Sequence, residues 1–395
     1  MKKQYANIAV IGGAGHIGLP LSLLLADKGY SIKIIDKDKS RIDQIKKGKF
    51  PFKEDGGLPL LQKILKKNSI IFFSDLQAIE TCEIIIITIG TPIDDHFNPD
   101  LSVIFKTIDE IRPFLKNGQI LILRSTLYPG TTRKVYERLK TDGLIIGVSY
   151  CPERIAQGNA LIELETLPQI ISSSDTQTLE HVKSLFSNIT DELVNLSFEE
   201  AELAKLFSNA WRYIKFSVAN QFYMMSMEKG VDFYKVRDGM MKGYSRAADF
   251  PNSGFAAGPC LFKDTMQLGS YNRQKFFLGH SAMLINETLP DFIVEKFKRD
   301  GNIIKNIKIG ILGMAFKADC DDKRDSLAYK LRKILELEGG DVMCTDPYIY
   351  DSRFFPLKLV LQSCKVLFIG APHSIYNNID FNNHTLVDCW GLNTW

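Results

Sequence analysis

The chain has 395 residues, of which 45% are hydrophobic and 24% charged, and its formal net charge is +3. This length predicts two or three domains of an ordinary soluble globular protein. So small a net charge offers no case for nucleic-acid binding, which needs a clustered basic face, and no apolar run approaches the ~18 residues of a membrane span. The seven cysteines are scattered without a CxxC pair, which predicts reduced thiols, a cytoplasmic location and no metal site.

A strand, a glycine loop and a helix open the chain. Residues 7–11 are a short apolar run typical of a buried parallel strand, and the loop after it reads Gly13-Ala14-Gly15-His16-Ile17-Gly18. A second strand, residues 31–36, ends at Asp36. Glycines let a pyrophosphate approach the helix N-terminus, and the acid would accept hydrogen bonds from the ribose hydroxyls. The pattern predicts NAD, because the 2′-phosphate of NADP would meet the Asp36 charge; a tight turn without a ligand is the alternative.

Three further apolar runs predict buried strands, at residues 83–89, 119–124 and 144–150. Ligands of an open parallel sheet bind beyond the carboxyl ends of its strands. Thr91, Thr126 and Glu153 follow these strands closely, so we expect them to line the cofactor or substrate site. Helix capping is the alternative for the two threonines.

A long helix is predicted from residue 198 to about residue 229. Aromatic and methionine residues lie around much of its surface, so we expect it to join domains and to pack against a partner subunit. Lys205, Asn209 and Arg212 share one face, because they are spaced i, i+4 and i+7. A solvated polar stripe is the alternative for these three residues.

The segment 254–264 places Cys260 behind small residues and in front of Lys263 and Asp264. Small residues let a bulky substrate approach the backbone, and a neighbouring ammonium group favours the nucleophilic thiolate. A glycine-rich turn that holds a buried cysteine is the alternative.

A helix led by Pro290 is predicted next, at residues 291–299, followed by a second and smaller Rossmann-like region. Its strands are predicted at residues 308–313, 341–346 and 366–370. Lys317 and Arg324 lie seven residues apart in a polar loop, where they could grip phosphates or merely be solvated.

Seven motifs follow one another along the chain: 13–18 with 19–20; 91–92 with 99–102; 125–126 with 129–132; 151–154; 201–203 with 205, 206 and 209; 258–261 with 263–264; and 313 with 315–317, 321–322, 324 and 326. With these motifs the chain resembles the UDP-glucose/GDP-mannose dehydrogenase family over nearly its whole length. The resemblance implies an α/β protein with two Rossmann-like parallel-sheet domains, joined by a long central helix and a helical dimerisation region.

The resemblance also implies three domains. They are an N-terminal NAD-binding Rossmann domain at 1–195, a central helical dimerisation domain with the catalytic cysteine loop at 196–300, and a C-terminal UDP-sugar-binding Rossmann-like domain at 301–395. The implied protein is a cytoplasmic homodimer that binds NAD and a UDP-sugar but neither nucleic acid nor membrane. Uronic acids of the kind it would make feed polysaccharide biosynthesis.

The implied reaction is an NAD-dependent four-electron oxidation of the C6 alcohol of a nucleotide-linked hexose to a carboxylate. The Cys260 thiolate would attack the C6 aldehyde to give a thiohemiacetal, and its oxidation would give a thioester that water hydrolyses. Lys205 would act as general acid/base or stabilise oxyanions, and Asn209 and Asp264 would orient nearby groups and water. Thr126 and Glu153 would organise water and contact the cofactor.

Binding roles are implied for two sets of residues. The cofactor-binding set is Gly13, Ala14, Gly15, His16, Ile17, Gly18, Asp36, Arg41, Thr91, Thr126, Lys263 and Arg324. The substrate-binding set is Glu153, Arg154, Ile155, Lys205, Asn209, Arg212, Tyr244, Arg246, Gly254, Phe255, Gly258 and Lys317.

The segment Cys151-Pro152-Glu153-Arg154 is similar to the family branch that acts on UDP-N-acetylhexosamines. Arg212 and Arg246 fit the same branch, because an arginine beside the sugar could donate hydrogen bonds to an acetamido carbonyl. We therefore favour UDP-N-acetylglucosamine or UDP-N-acetylmannosamine as substrate. A UDP-glucose 6-dehydrogenase of the same mechanism is the alternative.

Three departures and three rivals accompany this interpretation. The glycine loop has Ala14 and His16 where the family more often has a large apolar residue and a tyrosine. Gln157 stands where many family members carry a second acid, and Gln221 replaces a common glutamate. A short-chain sugar-nucleotide epimerase would explain the glycine loop and the YxxxK at 136–140 but not the cysteine loop, and a two-electron hydroxyacid dehydrogenase would not need Cys260. The intact set Cys260, Lys205, Asn209 and Asp264 argues against a non-catalytic NAD-binding scaffold.

Overall fold

The computed structural model describes residues 7–91 and 100–392. The predicted motif residues Pro92 and Pro99 lie outside these ranges. The chain divides into two compact units, Met1–Phe207 and Ser208–Trp395. The finer division into three domains at 195/196 and 300/301 stays a prediction.

The first unit is an α/β unit built on one eight-stranded sheet. Its strands are β1 (Asn7–Ile11), β2 (Ser31–Ile35), β3 (Ile70–Phe73), β4 (Ile84–Ile87), β5 (Ile120–Leu123), β6 (Gly147–Tyr150), β7 (Gln169–Ser173) and β8 (Leu193–Asn195). Its helices are α1 (Gly18–Asp27), α2 (Lys39–Lys46), α3 (Gly57–Lys67), α4 (Ser102–Ile111), α5 (Thr131–Thr141), α6 (Ala160–Thr166) and α7 (Thr176–Phe186), with 3-10 turns at Leu76–Thr81 and Arg112–Phe114.

The strand order of this sheet is β3-β2-β1-β4-β5-β6-β7-β8. The order reverses between β1 and β4, which makes the carboxyl end of β1 a topological switch point, the usual place for a ligand. Strands such as Ile84–Ile87 are apolar along their whole length because separate buried clusters cover the two faces of the sheet. The predicted strands are confirmed, but β7 pairs antiparallel with β6, at Ser149 and Ser173.

Helix α8 (Phe198–Glu228) is one helix of 31 residues, as predicted, and it runs from the first unit into the second. The second unit adds the helices α9 (Phe233–Met241), α10 (Leu261–Tyr271), α11 (Phe277–Arg299), α12 (Leu327–Leu337) and α13 (Leu357–Ser363), with 3-10 turns at Ser245–Ala247 and Ser374–Asn378. Its strands are β9 (Lys308–Leu312), β10 (Asp341–Thr345), β11 (Val366–Ile369) and β12 (Thr385–Val387).

The four strands form a parallel sheet in the order β10-β9-β11-β12. One buried cluster joins this sheet to the helices, with Leu289 and Ile293 of α11 packed in the same core as Ile309 and Phe368. The second unit therefore combines helices and a Rossmann-like sheet around a shared core.

The prediction that Pro290 begins a helix is wrong. Helix α11 begins at Phe277, and Pro290 lies inside it. A proline inside a helix removes one backbone hydrogen bond. Burial of Ala282, Asn286 and Leu289 on the preceding turns stabilises the helix across that loss. Within residues 7–91 and 100–392, no helix is long and apolar enough to cross a membrane.

Candidate active site

The glycine loop after β1 allows an unusually close approach of backbone segments. Gly12 has a φ of +78°, and a Cβ at Gly18 would lie 2.4 Å from the carbonyl oxygen of Gly12. No side chain caps the N-terminus of α1, and the first turn of that helix holds no acidic residue. This end of α1 therefore suits an anion such as a pyrophosphate.

Asp36 follows β2 and faces the same loop. Its Oδ2 accepts a hydrogen bond from the N–H of Ala14 at 3.0 Å, and its Oδ1 accepts one from the N–H of Asp38 at 3.0 Å. Arg41 lies on α2 with its Nε 3.8 Å from Asp38 Oδ2, and the ring of His16 lies 4.0 Å from that of Phe52. The glycine loop, the uncapped helix and the half-buried acid fit a bound NAD.

The loops after β4 and β5 are joined by the two predicted threonines. The Thr91 hydroxyl donates to the carbonyl oxygen of Thr126 at 2.8 Å, and the Ser125 hydroxyl donates to that of Ile89 at 2.6 Å. Both loops lie at the carboxyl ends of their strands, where the sequence places the ligand site.

Glu153 is buried and its carboxylate is held from two sides. Oε1 accepts hydrogen bonds from the N–H groups of Arg154 at 2.7 Å and Ile155 at 3.1 Å. Oε2 forms an ion pair with Arg124, which is fully buried and also donates to Gln169 Oε1 at 3.2 Å. Sequence reasoning missed Arg124, although a charged residue at the end of an apolar strand signals such a partner.

Arg154 is half-buried, and its guanidinium donates to the carbonyl oxygen of Pro168. Ile155 packs partly buried against the core of the first unit. Substrate binding by these two residues stays a prediction.

The polar face predicted on α8 is buried at two of its three positions. Lys205 is 8% exposed and Asn209 is 6% exposed, whereas Arg212 is exposed. The low exposure of Lys205 places its side chain beneath the surface of the first unit. A lysine at such a position can form charge-assisted hydrogen bonds to an anionic or polar ligand group.

Cys260 is the exposed N-cap residue of α10. The positive end of a helix dipole stabilises a thiolate, a contribution that sequence reasoning missed. Lys263, which was expected to favour the thiolate, lies with its Nζ 3.5 Å from Asp264 Oδ1. Asp264 is fully buried, and its Oδ2 accepts a hydrogen bond from Asn209 Nδ2 at 2.5 Å. Asn209 and Asp264 thus link α8 to α10.

The glycines of the cysteine loop make room for aromatic rings of the protein itself. Gly254 has a φ of +143°, and a Cβ there would lie 2.2 Å from the Trp390 ring. Gly258 has a φ of +98°, and its Cβ would lie 2.4 Å from the Phe316 ring. Phe255, expected to contact the nucleotide sugar, is 4% exposed and packs against Trp390 at 5.8 Å between ring centroids.

A buried asparagine pair anchors this loop. The N–H of Gly254 donates to Asn220 Oδ1 at 2.8 Å, and Asn220 Nδ2 donates to the carbonyl oxygen of Gly254 at 3.0 Å. Asn220 Nδ2 also donates to Asn286 Oδ1 at 2.9 Å. Sequence reasoning missed both asparagines, because each is identified only by its distant partner.

Arg324 and Lys317 lie in the loop between β9 and α12. Arg324 binds the Asp322 carboxylate through Nε at 3.0 Å and Nη2 at 2.6 Å, and its side chain is 55% exposed. The hydrogen bonds to Asp322 raise the pKa of Arg324 above its ordinary value. Lys317 is half-buried.

Tyr244 and Arg246 lie on an exposed segment of the second unit. The Arg246 guanidinium lies 5.6 Å from the centre of the Tyr244 ring. Their predicted contact with substrate, like that of Lys317, stays a prediction.

A cavity of about 950 Å³ opens at the amino ends of the strands of the first sheet. Glu83, Gln119 and Ile146, which come just before β4, β5 and β6, line it together with His181 of α7. The glycine loop lies at the carboxyl ends of the strands, so this cavity is separate from it. Across the described ranges, no group of three or more His, Cys, Asp and Glu side chains is placed to hold a metal ion.

Comparison with known proteins places three family models along the chain. The NAD binding domain of the UDP-glucose/GDP-mannose dehydrogenase family matches residues 6–190, its central domain matches residues 199–288, and its UDP binding domain matches residues 310–392.

Relatives match over most of their length. A UDP-N-acetyl-D-mannosamine dehydrogenase of Methanococcus maripaludis is 30% identical over 385 residues, covering 94% of this chain and 87% of the relative. One of Methanocaldococcus jannaschii is 29% identical over 382 residues, covering 95% of this chain and 87% of the relative. The solved structure of a UDP-D-ManNAc dehydrogenase from Pyrococcus horikoshii is similar with a TM-score of 0.90 at 25% identity, covering 98% of this chain and 96% of that one.

Proposed function

Because the chain belongs to the UDP-glucose/GDP-mannose dehydrogenase family and is an NAD-dependent UDP-sugar dehydrogenase, we propose that it oxidises the C6 alcohol of a UDP-N-acetylhexosamine to the uronic acid. Cys260 carries the covalent intermediates of this four-electron reaction. The enzyme acts in the cytoplasm, and its product supplies polysaccharide biosynthesis.

The hydrogen bond between Asn209 and Asp264 is the observation that carries the proposal. Asp264 lies one helical turn beyond Cys260, and its N–H donates to the Cys260 carbonyl oxygen at 2.9 Å. Lys205 lies one turn before Asn209 on α8. The bond therefore ties the helix that bears the lysine to the helix that begins at the cysteine.

The proposed reaction divides its steps between the cofactor, Lys205 and Cys260. NAD supplies the hydride acceptor for both two-electron oxidations, so each sugar consumes two NAD⁺. Lys205 takes the proton of the C6 hydroxyl and then stabilises the oxyanion at C6. The Cys260 thiolate adds to the aldehyde carbon, and the resulting thiohemiacetal is oxidised to a thioester.

Hydrolysis of the thioester completes the reaction. Water attacks the acyl carbon, the carboxylate leaves the enzyme, and the sulfur departs as the thiolate. The buried Asp264 carboxylate orients Asn209 and the attacking water. Thr126 and Glu153 fix the loops after β5 and β6, where they organise water and contact the cofactor. Their positions at the ends of β5 and β6 support these roles.

UDP-N-acetyl-D-mannosamine is the substrate that we favour, with UDP-N-acetyl-D-glucosamine as the alternative. The relatives from two methanogens support this choice by their names. Arg212 and Arg246 are exposed arginines that could donate hydrogen bonds to an acetamido carbonyl.

Measuring NADH formed per sugar consumed tests the reaction and the substrate together. The purified protein would receive UDP-N-acetylmannosamine, UDP-N-acetylglucosamine and UDP-glucose in separate assays. We expect two NADH per sugar with an N-acetylated substrate. Two NADH with UDP-glucose alone would keep the mechanism but overturn the roles of Arg212 and Arg246. One NADH, or none, with all three sugars would overturn the proposed function.

We also infer that the protein forms a homodimer through α8. Trp211, Val218, Phe222 and Met225 are exposed apolar side chains spaced i, i+7, i+11 and i+14, so they form one stripe on the second unit. Beside the stripe, Phe233, Val236 and Met240 of α9 help to line a small apolar groove. A second copy of the same stripe would bury this surface around a two-fold axis.

A further inference from the structure

Helix α5 has no cap of its own at its N-terminus. Gly130 is the N-cap residue, with a φ of +89°, so it has no side chain to accept the first N–H groups. The first turn of α5 also contains no acidic residue. The unpaired N–H groups and positive end of such a helix need a partner from elsewhere in the fold.

Glu202 of α8 is that partner, although it lies about 70 residues further along the chain. Its Oε2 accepts a hydrogen bond from the N–H of Gly130 at 2.6 Å. Its Oε1 accepts bonds from the N–H and the hydroxyl of Thr132, at 2.7 and 2.6 Å. Glu202 is fully buried, and burial raises its pKa against the lowering effect of these hydrogen bonds.

The two ends of this contact lead to residues of the proposed reaction. On α8, Lys205 follows Glu202 by three residues and is buried. Ahead of α5, the loop that ends at Gly130 contains Thr126, whose carbonyl oxygen accepts the Thr91 hydroxyl. All of these residues belong to the first unit, so one buried carboxylate fixes the first turns of α8 against the loops beyond β4 and β5.

We propose that Glu202 is a positioning residue, which sets the place of Lys205 relative to the Thr126 loop. Glu202 does not touch the reacting atoms. The inference rests on the proposed function, because it assumes that Lys205 handles the proton of the sugar hydroxyl.

A second glutamate of α8 provides a matched control. Glu199 also binds α5, through Arg133, with Arg133 Nε 2.5 Å from Glu199 Oε1. Both of these side chains are 40–50% exposed, and an exposed ion pair contributes little. Glu199→Gln therefore removes one charge from the same junction without removing the buried cap.

The test compares the kinetics of Glu202→Gln and Glu199→Gln. Glutamine keeps an acceptor for Thr132 but turns an N–H donor toward the N–H of Gly130, which displaces α8 from α5. We expect Glu202→Gln to lower kcat at least about tenfold, while KM for NAD and for the UDP-sugar each change less than about threefold. Glu199→Gln should stay within about twofold of the wild type in all three constants.

A milder variant keeps the test informative if Glu202→Gln folds poorly. Thr132→Val removes one donor to Glu202 and leaves the N–H in place, so kcat should fall about two- to fivefold with both KM values unchanged. Unchanged kcat in Thr132→Val and Glu202→Gln would overturn the inference. A loss of kcat that merely follows the folded fraction, measured by circular dichroism, would also overturn it, since Glu202 would then be only structural.

Lys205→Met in the same assay separates this inference from the proposed function. If Lys205→Met is inactive and Glu202→Gln is normal, only the positioning role of Glu202 fails. If Lys205→Met keeps wild-type kcat, the proposed role of Lys205 fails and the inference fails with it.

Discussion

At the residue scale, one cysteine differs from the six others in its surroundings. Cys260 is exposed at the start of α10, whereas the six others are buried. Burial raises the pKa of Cys151 to about 11, that of Cys344 to about 12 and that of Cys364 to about 11. These thiols stay protonated at neutral pH, so Cys260 has the surroundings of a nucleophile.

Replacement of this residue should separate chemistry from cofactor binding. We expect Cys260→Ala to lower uronic acid formation at least about 1,000-fold, because no thioester can form, and to leave the Kd for NAD unchanged in a calorimetric titration. Mass spectrometry after iodoacetamide treatment of the folded protein should find one modified cysteine in the wild type and none in the variant. Full carboxylate production by Cys260→Ala would contradict the thioester mechanism.

At the scale of elements, the cysteine loop is shaped by contacts within its own unit. The Trp390 and Phe316 rings fill the space beside Gly254 and Gly258, and Asn220 bonds the Gly254 backbone on both sides. The loop is therefore held in place ahead of α10 before any substrate binds. This rigidity fixes where the helix begins and hence where the Cys260 thiol lies.

A methyl group at Gly258 should disturb this arrangement. Gly258→Ala would strain a positive φ and press a Cβ against the Phe316 ring, so we expect a loss of about 1–3 kcal/mol in stability and a lower kcat. Gly239→Ala on α9 is the control, because Gly239 faces open space in a helix. We expect the free energy of unfolding of this variant to equal that of the wild type or to exceed it by up to about 1 kcal/mol. Thermal unfolding and NADH production measure both effects; equal midpoints for the two variants would rule out the close contact.

At the scale of the whole molecule, each unit has a glycine loop whose N–H groups donate hydrogen bonds to an acid just after the next strand. In the first unit, Asp36 is half-buried beside the loop. In the second unit, the buried Asp346 accepts hydrogen bonds from the N–H of Met314 at 2.6 Å and of Ala315 at 3.1 Å, and it also contacts His373 Nε2 at 3.1 Å. The second unit thus adds a histidine contact to its loop acid, and it matches a UDP binding rather than an NAD binding domain.

The stripe on α8 leads to a prediction about assembly. The double variant Trp211→Glu with Phe222→Glu places two charges on the proposed interface. We therefore expect the dissociation constant of the dimer to rise at least about 100-fold. Light scattering over a range of protein concentrations measures the mass. Leu337→Glu is the control, since Leu337 is 87% exposed at the end of α12 and outside the stripe. A wild-type monomer at every concentration, or a dimeric double variant, would contradict the proposal.

The family membership also decides among the rival activities. Three domain models of one family leave no segment for a short-chain epimerase fold, and the tyrosine of the 136–140 YxxxK lies within α5. The same YxxxK spacing recurs at residues 271–275 and 329–333, so this short motif alone does not identify the epimerase family.

The α/β class, the NAD cofactor, the family and the long helix α8 were determined by the sequence alone. Each rests on a pattern that is local in the chain: the strand, glycine loop and acid that end at Asp36, or the apolar periodicity of α8. Tertiary structure alone decided which side chains hold these elements. Arg124 meets Glu153, Glu202 meets Thr132, and Trp390 lies over Gly254 only because distant segments pack together. Burial makes the two polar pairings necessary, because a buried charge without a partner is costly.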